Sequence, residues 1–498
     1  MPKIPFIRIN PNTVSIKTLV IIPEKVARKQ KAVVFYRDKS IVKIALVNPA
    51  NEEIAKIIAK KTGQIVKTYQ ASRENIANIL LLYRQDLQTA FESLVKTAGV
   101  TPGGAPIPKI VDLLIEYAYE DQASDIHIEP EEENSLIRFR IDGILHDRLT
   151  LPKALHESIV ARIKVISRLR TDEHLAAQDG KMRVQLEDEN LDIRISIIPI
   201  TEGEKVVMRL LSSRSREYSL ESLGMAEKDL AKVTTAMAKS FGMILSTGPT
   251  GSGKTTSIYA ILKILNSREK NITTIEDPVE YRIKGVNQIQ VNLKTNLTFA
   301  NGLASILRQD PNIIFVGEIR DSQTAGIATN AALTGHLVLT TLHTNDAIGA
   351  LPRLMDMGVE PLLVASTANV IIAQRLLRKI CPECKGITTV SLNELTKNVP
   401  KDLVKKVFGT EQKVKLSHGV GCVSCHQTGY LGRVGIFEVL LVSKAIRKLI
   451  IAKSDSDQID EQARKEGMTT MLEDGLAKVA NGITTLEEVL RVTKSESL

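Results

Sequence analysis

Residues Gly248, Pro249, Thr250, Gly251, Ser252, Gly253, Lys254 and Thr255 fit the pattern G-x-x-x-x-G-K-[ST], with Thr256 next in line. Glycines at this spacing let backbone N–H groups wrap an anion, and a helix starting behind them favours negative charge. The apolar run MILST leads into the pattern and the amphipathic run TTSIYAILKIL leads out of it. A strand, a loop and a helix are therefore expected in that order. Such a loop cradles nucleotide phosphates. Lys254 is expected to reach the β- and γ-phosphates and Thr255 to ligate Mg²⁺.

Phosphate chemistry also needs an acid at the end of a neighbouring strand. The run IIFVG ends in Glu318, which can orient or deprotonate an attacking water, or act through the Mg²⁺ shell. The run ITTIEDPVE places Asp277 and Glu280 around Pro278. Proline disfavours the helical region for Asp277 and turns the chain, which can aim either acid into the site. Read alone, this stretch is equally a solvated acidic turn. His336 and His343 bracket the run LVLTTL. Side chains seven apart on a strand point to opposite faces, so the two are not expected to share a site. His343, at the carboxyl end, is the better γ-phosphate sensor, and His336 could be a structural histidine.

All four cysteines fall in two C-x-x-C pairs, Cys381 with Cys384 and Cys422 with Cys425. Thiolates at this spacing can face one tetrahedral ion, and zinc is the expected one. Redox or inert thiols are the rival, and Cys422 to His426 also spells the haem string C-x-x-C-H. Haem attachment would leave Cys381 and Cys384 unexplained. Arg194 and Arg209 lie on opposite arms of a hairpin around TEGE. They could act as arginine fingers on a phosphate, or simply pair on the surface.

The chain must supply elements to hold these groups. Its 498 residues are enough for several domains, and 43 % hydrophobic with 25 % charged residues excludes a wholly disordered chain. No apolar run approaches the ~20 residues of a spanning helix, and MPKIPFIRIN lacks a signal-peptide core. A cytoplasmic protein is expected, with any membrane contact peripheral. Net charge is 66 − 57 = +9, yet residues 1–100 carry 17 Lys/Arg against 7 Asp/Glu, so the rest of the chain sums to −1. This basic module could dock on an acidic protein, anionic lipid or nucleic acid, or be a solvated surface. A nucleic-acid motor would spread its basic charge over a channel, so no nucleic acid is expected.

The expected order is a tail (1–15), a basic α/β module (16–95), a Pro/Gly linker (96–108), an α+β module (109–222) and an α/β domain (223–498). Alternating runs such as Ile193, Ile195 and Ile197 predict a half-exposed antiparallel sheet in the α+β module, and Asp142-Gly143 predicts a tight turn. After about Gly242 the short, wholly apolar runs predict a parallel sheet covered on both faces. Residues 378–432 form a cysteine-bearing insertion and 440–498 read as helices.

GPTGSGKTT, TIEDPVEY, LRQDPNIIFVGEIRD and TGHLVLTTLHTNDA, in this order, resemble the Walker A, Asp, Walker B and His boxes of the type II/type IV secretion ATPases. ASDIHIEP, RFRIDGIL and AQDGK resemble that family's second N-terminal domain, and GMTTMLEDGLAKVANGITTLEEVLR its C-terminal stretch. The resemblance implies a RecA-like P-loop motor domain, a preceding PAS-like domain and a small N-terminal α/β domain. It also implies a homohexamer that turns over ATP to drive pilin or pseudopilin polymerisation. Its partners would be an inner-membrane platform protein and cytoplasmic assembly proteins. It assigns Asp277, Glu280, Glu318 and His343 to the catalytic boxes, and Arg194 and Arg209 to the family's inter-domain arginines. A pilus retraction or DNA-uptake motor is the alternative, as is an ATP-switched zinc protein that binds nucleic acid. Retraction ATPases look shorter and lack both the cysteine pairs and the basic module. Residues 16–95 resemble the general N-terminal domain and show no Arg-Leu-Gly-rich repeats, so regulation by cyclic-di-GMP is not expected.

Overall fold

The computed structural model describes residues 4–48, 52–83, 86–97, 106–186, 189–212 and 218–493. Residues 98–105 of the expected linker lie outside them. The chain divides into two compact units. The first comprises 1–210 with 380–386 and 418–431, and the second comprises 211–379, 387–417 and 432–498.

The first unit begins with a three-stranded sheet, β1 (Ala32–Arg37), β2 (Ile41–Leu46) and β3 (Ile65–Gln70), in which β1–β2 is antiparallel and β2–β3 parallel. The connection between β2 and β3 carries the helix Glu52–Thr62, which buries Ile54 and Ile58, one turn apart. Helix α1 (Ile107–Glu120) buries Ile110, Leu114 and Tyr117 at helical spacing. Six strands follow: β4 (Asp125–Pro130), β5 (Asn134–Ile141), β6 (Ile144–Pro152), β7 (Gln178–Gln185), β8 (Asn190–Ile200) and β9 (Gly203–Leu211). They form one sheet in the order β6-β5-β4-β9-β8-β7. Asp142 (φ 49°) and Gly143 (φ 88°) make the tight turn between β5 and β6, both in the left-handed region such a turn demands. The sheet departs from simple half-exposure on β4, where Asp125 and His127 are also buried. Arginines of the flanking strands cover Asp125: Arg209 Nε lies 3.0 Å from it and Arg140 Nε 3.6 Å.

The second unit is built on β10 (Gly242–Thr247), β11 (Ile272–Glu276), β12 (Asn287–Gln290), β13 (Ile313–Val316), β14 (Leu337–Leu342) and β15 (Ala368–Ile380). A two-stranded sheet, β16 (Lys385–Ser391) with β17 (Lys413–Gly419), comes before β18 (Tyr430–Leu441). The seven-stranded sheet runs β12-β11-β13-β14-β10-β15-β18. From β12 to β15 every neighbouring pair is parallel. Its central strands are buried along their whole length because alternate residues feed two cores. Met243, Leu245, Val316 and Val338 enter one, and Ile244, Phe315 and Leu339 the other. Helix α2 (Lys254–Leu265) seals the second core with Ile258, Ile261 and Leu262, and helix α3 (Ser322–Leu333) packs alanines into the first. The C-terminal stretch is helical, ending in Met471–Ala480 and Leu486–Thr493.

Candidate nucleotide site and tetracysteine cluster

The parallel topology decides where chemistry can occur. The carboxyl ends of β10, β11, β13 and β14 lie along one edge of the sheet, where ligands of open α/β sheets bind. The loop 248–253 follows β10, Asp277 and Glu280 follow β11, Glu318 follows β13, and His343 follows β14 directly.

The loop turns tightly over β15. Gly248 (φ +144°) brings the position of a Cβ within 2.5 Å of the Gln374 carbonyl oxygen, and Gly253 (φ +90°) within 2.8 Å of Gln374 Nε2. Neither site tolerates a side chain, so the backbone stays open to phosphate. Lys254 opens α2 and is buried, with Nζ donating to the carbonyls of Gly248 (2.6 Å) and Pro249 (3.2 Å). Burial pushes its ammonium down to about 8, against the pull of Glu318. Ser252 Oγ is buried with no hydrogen-bond partner. A strained glycine loop, a buried cation and a spare hydroxyl fit an anionic ligand. Pro249, Thr250 and Gly251 are exposed, and Thr255 and Thr256 half-buried.

The structure brings Lys254, Glu318 and His343 together. The Glu318 carboxylate lies 3.4 Å from His343 Nε2 and 2.6 Å from Arg320 Nη2. Burial and the nearby Lys254 charge hold the His343 imidazole below its ordinary value, against Glu318, so it is neutral at pH 7. Asp277 is exposed and acts electrostatically on Arg320, while Glu280 is half-buried. Arg320 was not singled out by the sequence, although a position two residues beyond a strand-end acid is a place to look for its partner. Gln374, buried beneath the loop, has no local sequence signal at all. His336 precedes β14 and bonds through Nδ1 to the Ala331 carbonyl at 2.9 Å, a structural contact away from the carboxyl edge. Arg194 and Arg209 belong to the other compact unit. Arg194 is half-buried on β8, and Arg209 is largely exposed and tethered to Asp125.

The four cysteines are free thiols whose Sγ atoms all lie within 4.8 Å of one another. The pairs Cys381–Cys422 and Cys384–Cys425 are 3.8 Å apart and Cys422–Cys425 3.7 Å. A tetrahedral ion with Zn–S bonds of ~2.3 Å gives sulfur–sulfur edges of about 3.8 Å. Backbone N–H groups of Gly421 and Cys422 also donate to Cys384 Sγ and Cys425 Sγ, each at 3.2 Å, which favours thiolate ligands. The cluster therefore has the geometry to hold a single tetrahedral ion. His426 is turned to Asp121, with Nε2 3.5 Å from Oδ1. Glu383, between the first cysteines, pairs with Arg8 at 3.1 Å. The cysteine segments thus fold within the first unit, although the sequence around them belongs to the second.

Comparison with known proteins agrees with this architecture. The family described as "Type II/IV secretion system protein" matches residues 101–491, and the MshEN domain matches residues 3–90. The MshEN match covers most of the segment that resemblance assigned to the general N-terminal domain. The type II secretion system protein HxcR of Pseudomonas aeruginosa is 46 % identical over 394 residues, 79 % of each chain. The type IV pilus assembly ATPase PilB of Myxococcus xanthus is 37 % identical over 508 residues, covering 98 % of this chain and 88 % of its own. Among solved structures, the pilus retraction motor PilT with bound ADP aligns at a TM-score of 0.52 and 27 % identity. That alignment covers 78 % of this chain and 98 % of PilT. A glycine loop, a strand-end glutamate and a histidine on adjacent parallel strands carry the same conclusion as these relatives: the chain is a P-loop ATPase belonging to the type II/IV secretion system protein family.

Proposed function

We propose that this chain is the cytoplasmic motor of a type II secretion or type IV pilus assembly system, hydrolysing ATP to drive pilin or pseudopilin polymerisation. The observation that carries the reading is the meeting of Lys254, Glu318 and His343 at the carboxyl edge of the sheet. Lys254 exchanges its loop carbonyls for the β- and γ-phosphates. The backbone of Gly248–Thr256 wraps the phosphates, and Thr255 holds Mg²⁺, whose charge offsets theirs. Glu318 orients and deprotonates the attacking water. Neutral His343 donates a hydrogen bond to the γ-phosphate and reports its presence to Glu318. Asp277 and Glu280 are the further acids proposed for the site, and Arg194 and Arg209 the candidate arginine fingers for the γ-phosphate.

The four cysteines hold zinc as a structural ion. No helix among the described residues is long and apolar enough to cross a membrane. The proposed partners are an inner-membrane platform protein and cytoplasmic assembly proteins. A homohexamer is the working form. The relatives named for secretion and pilus assembly are 46 % and 37 % identical to this chain, against 27 % for the retraction motor, which favours assembly over the retraction reading.

The test is turnover by the purified chain. Glu318→Gln should bind ATP normally and hydrolyse it ~10²–10⁴-fold more slowly, the usual weight of a general base. Wild-type turnover in that variant refutes the assignment of the water-activating acid.

A further inference from the structure

The strand end that precedes Asp277 holds a buried acid that the mechanism does not use. Glu276 is 2 % exposed. Its Oε2 accepts from the Tyr259 hydroxyl, and its Oε1 accepts from Thr274 Oγ1 at 2.5 Å and Gln288 Nε2 at 3.2 Å. Its hydrogen-bond partners among the described residues are thus two hydroxyls and an amide, all neutral. A buried carboxyl is tolerated only when such donors replace water.

Tyr259 lies on α2, five residues after Lys254, and is itself fully buried. Besides donating to Glu276, its hydroxyl accepts from the backbone N–H of Glu280 and from Gln288 Nε2, each at 3.3 Å. Gln288 on β12 also donates to the Tyr281 carbonyl (3.1 Å), and its Oε1 accepts from the Ile283 N–H (2.7 Å). The Tyr259 ring packs edge-on against Tyr281 at 4.7 Å and Phe315 at 6.1 Å. The turn carrying Asp277 and Glu280 is therefore fixed at its start, middle and end, and two side chains, Tyr259 and Gln288, do the fixing. One of them sits on the helix that begins with the phosphate-binding lysine.

We propose that Tyr259 is a positioning residue for ATP hydrolysis: its hydroxyl locks the acidic turn to the phosphate-binding helix, so that Asp277 and Glu280 hold register with Lys254. Glu276 is the buried anchor of this lock and Gln288 its second bolt. The helix and the turn then shift as one body when phosphate draws Lys254 off the loop carbonyls. The proposal rests on the reading of Asp277 and Glu280 as acids of the site.

The experiment uses the full-length chain and the Tyr259→Phe variant, which keeps the ring packing and removes only the hydroxyl. Affinity for a fluorescent ATP analogue should stay within about twofold, because the loop contacts are intact, while kcat falls about 10–100-fold, as expected for a misplaced catalytic group. Tyr83→Phe is the control. It removes a hydroxyl that donates to the Leu19 and Ile22 carbonyls in the other unit, and should leave kcat unchanged. Gln288→Leu should reproduce the split between kcat and affinity. The double variant with Tyr259→Phe should lose no more than the worse single one, since both act through one turn. If Tyr259→Phe does not fold, Gln288→Leu alone carries the test by the same split. Wild-type kcat in Tyr259→Phe, or an equal loss of affinity and kcat, overturns the proposal. Asp277→Asn and Glu280→Gln separate the two levels. If both keep full turnover, the reading of the turn fails; if they lose turnover while Tyr259→Phe keeps it, only the lock fails.

Discussion

Raising the pH should weaken nucleotide binding through one residue, Lys254. Its ammonium is held at about 8, well below its ordinary 10.5, because burial disfavours the charge and Glu318 only partly offsets this. The depression of about 2.5 pH units corresponds to roughly 3 kcal/mol stored against the charged form in the free protein. Phosphate repays that cost: beside a polyanion the lysine is charged, and its pKa rises above the free value. Binding must then take up a proton wherever the free protein has lost it. The sign follows from linkage. Below about pH 8 the lysine is charged in both states and the affinity is flat. Above it, Kd climbs by up to tenfold per pH unit until the bound-state pKa is reached. Relative to pH 7, the apparent Kd should rise about tenfold at pH 9 and about thirtyfold at pH 9.5. Burial and the Lys254 charge hold the His343 imidazole below its ordinary value in the free protein, so the loss of charge above pH 8 belongs to Lys254. Titration calorimetry in buffers of different ionisation enthalpy reads the proton directly. Uptake should be about half a proton per nucleotide near pH 8 and close to one near pH 9. Lys254→Ala should abolish both the uptake and the slope along with most of the affinity. A Kd that is flat from pH 7 to about pH 9.5, with no proton uptake, would refute the reasoning.

Other outcomes can be checked independently. Metal analysis should find one zinc per chain. A strong chelator should raise amide exchange first across residues 381–425, since structural zinc contributes an apparent ~10–16 kcal/mol to the fold around it. Burial pushes the Glu488 carboxyl up, but bonds from Arg491 and Arg378 outweigh it and hold the acid at about 2, against an ordinary 4.5. A lowered pKa stabilises above the unfolded value, so Glu488→Gln should cost roughly 2–4 kcal/mol at pH 7, and the deficit should narrow as pH falls from about 4.5 toward about 2. Denaturation midpoints of the two proteins across pH decide it. Arg209→Ala should lower kcat by more than it lowers ATP affinity, up to ~10³-fold if the guanidinium meets the phosphate in the transition state. Unchanged turnover would leave Arg209 as the surface partner of Asp125.

Much of the site was legible because its chemistry needs contiguous motifs. The glycine loop, Glu318 and His343 each follow an apolar strand, and parallel topology does the rest by lining up the strand ends. The lock around Glu276 was not legible. It joins residues 259, 274, 276, 280 and 288, which share no period and whose partnership depends on how α2 lies over β11. The placement of the cysteines was half legible. Spacing gives the tetrathiol, but nothing local tells that Glu383 will meet Arg8 or that His426 will meet Asp121, contacts spanning hundreds of residues. Likewise Asp125 and His127 alternate with isoleucines and read as solvent-facing, whereas arginines from the neighbouring strands bury Asp125.

The threading of the cysteine segments also has a mechanical side. The chain passes from one compact unit to the other after Leu210, and again on entering and leaving each cysteine-bearing segment. A pull applied between the units is therefore shared by several parallel lengths of polypeptide instead of one hinge. An ion held by the four thiols would gather two of those lengths at a single knot and so would govern how much slack the polymer can pay out under tension. Stripping the metal would make the tether softer and longer without cutting any covalent bond. For a machine whose output is force, the tetrathiol cluster is in this sense a stiffness setting.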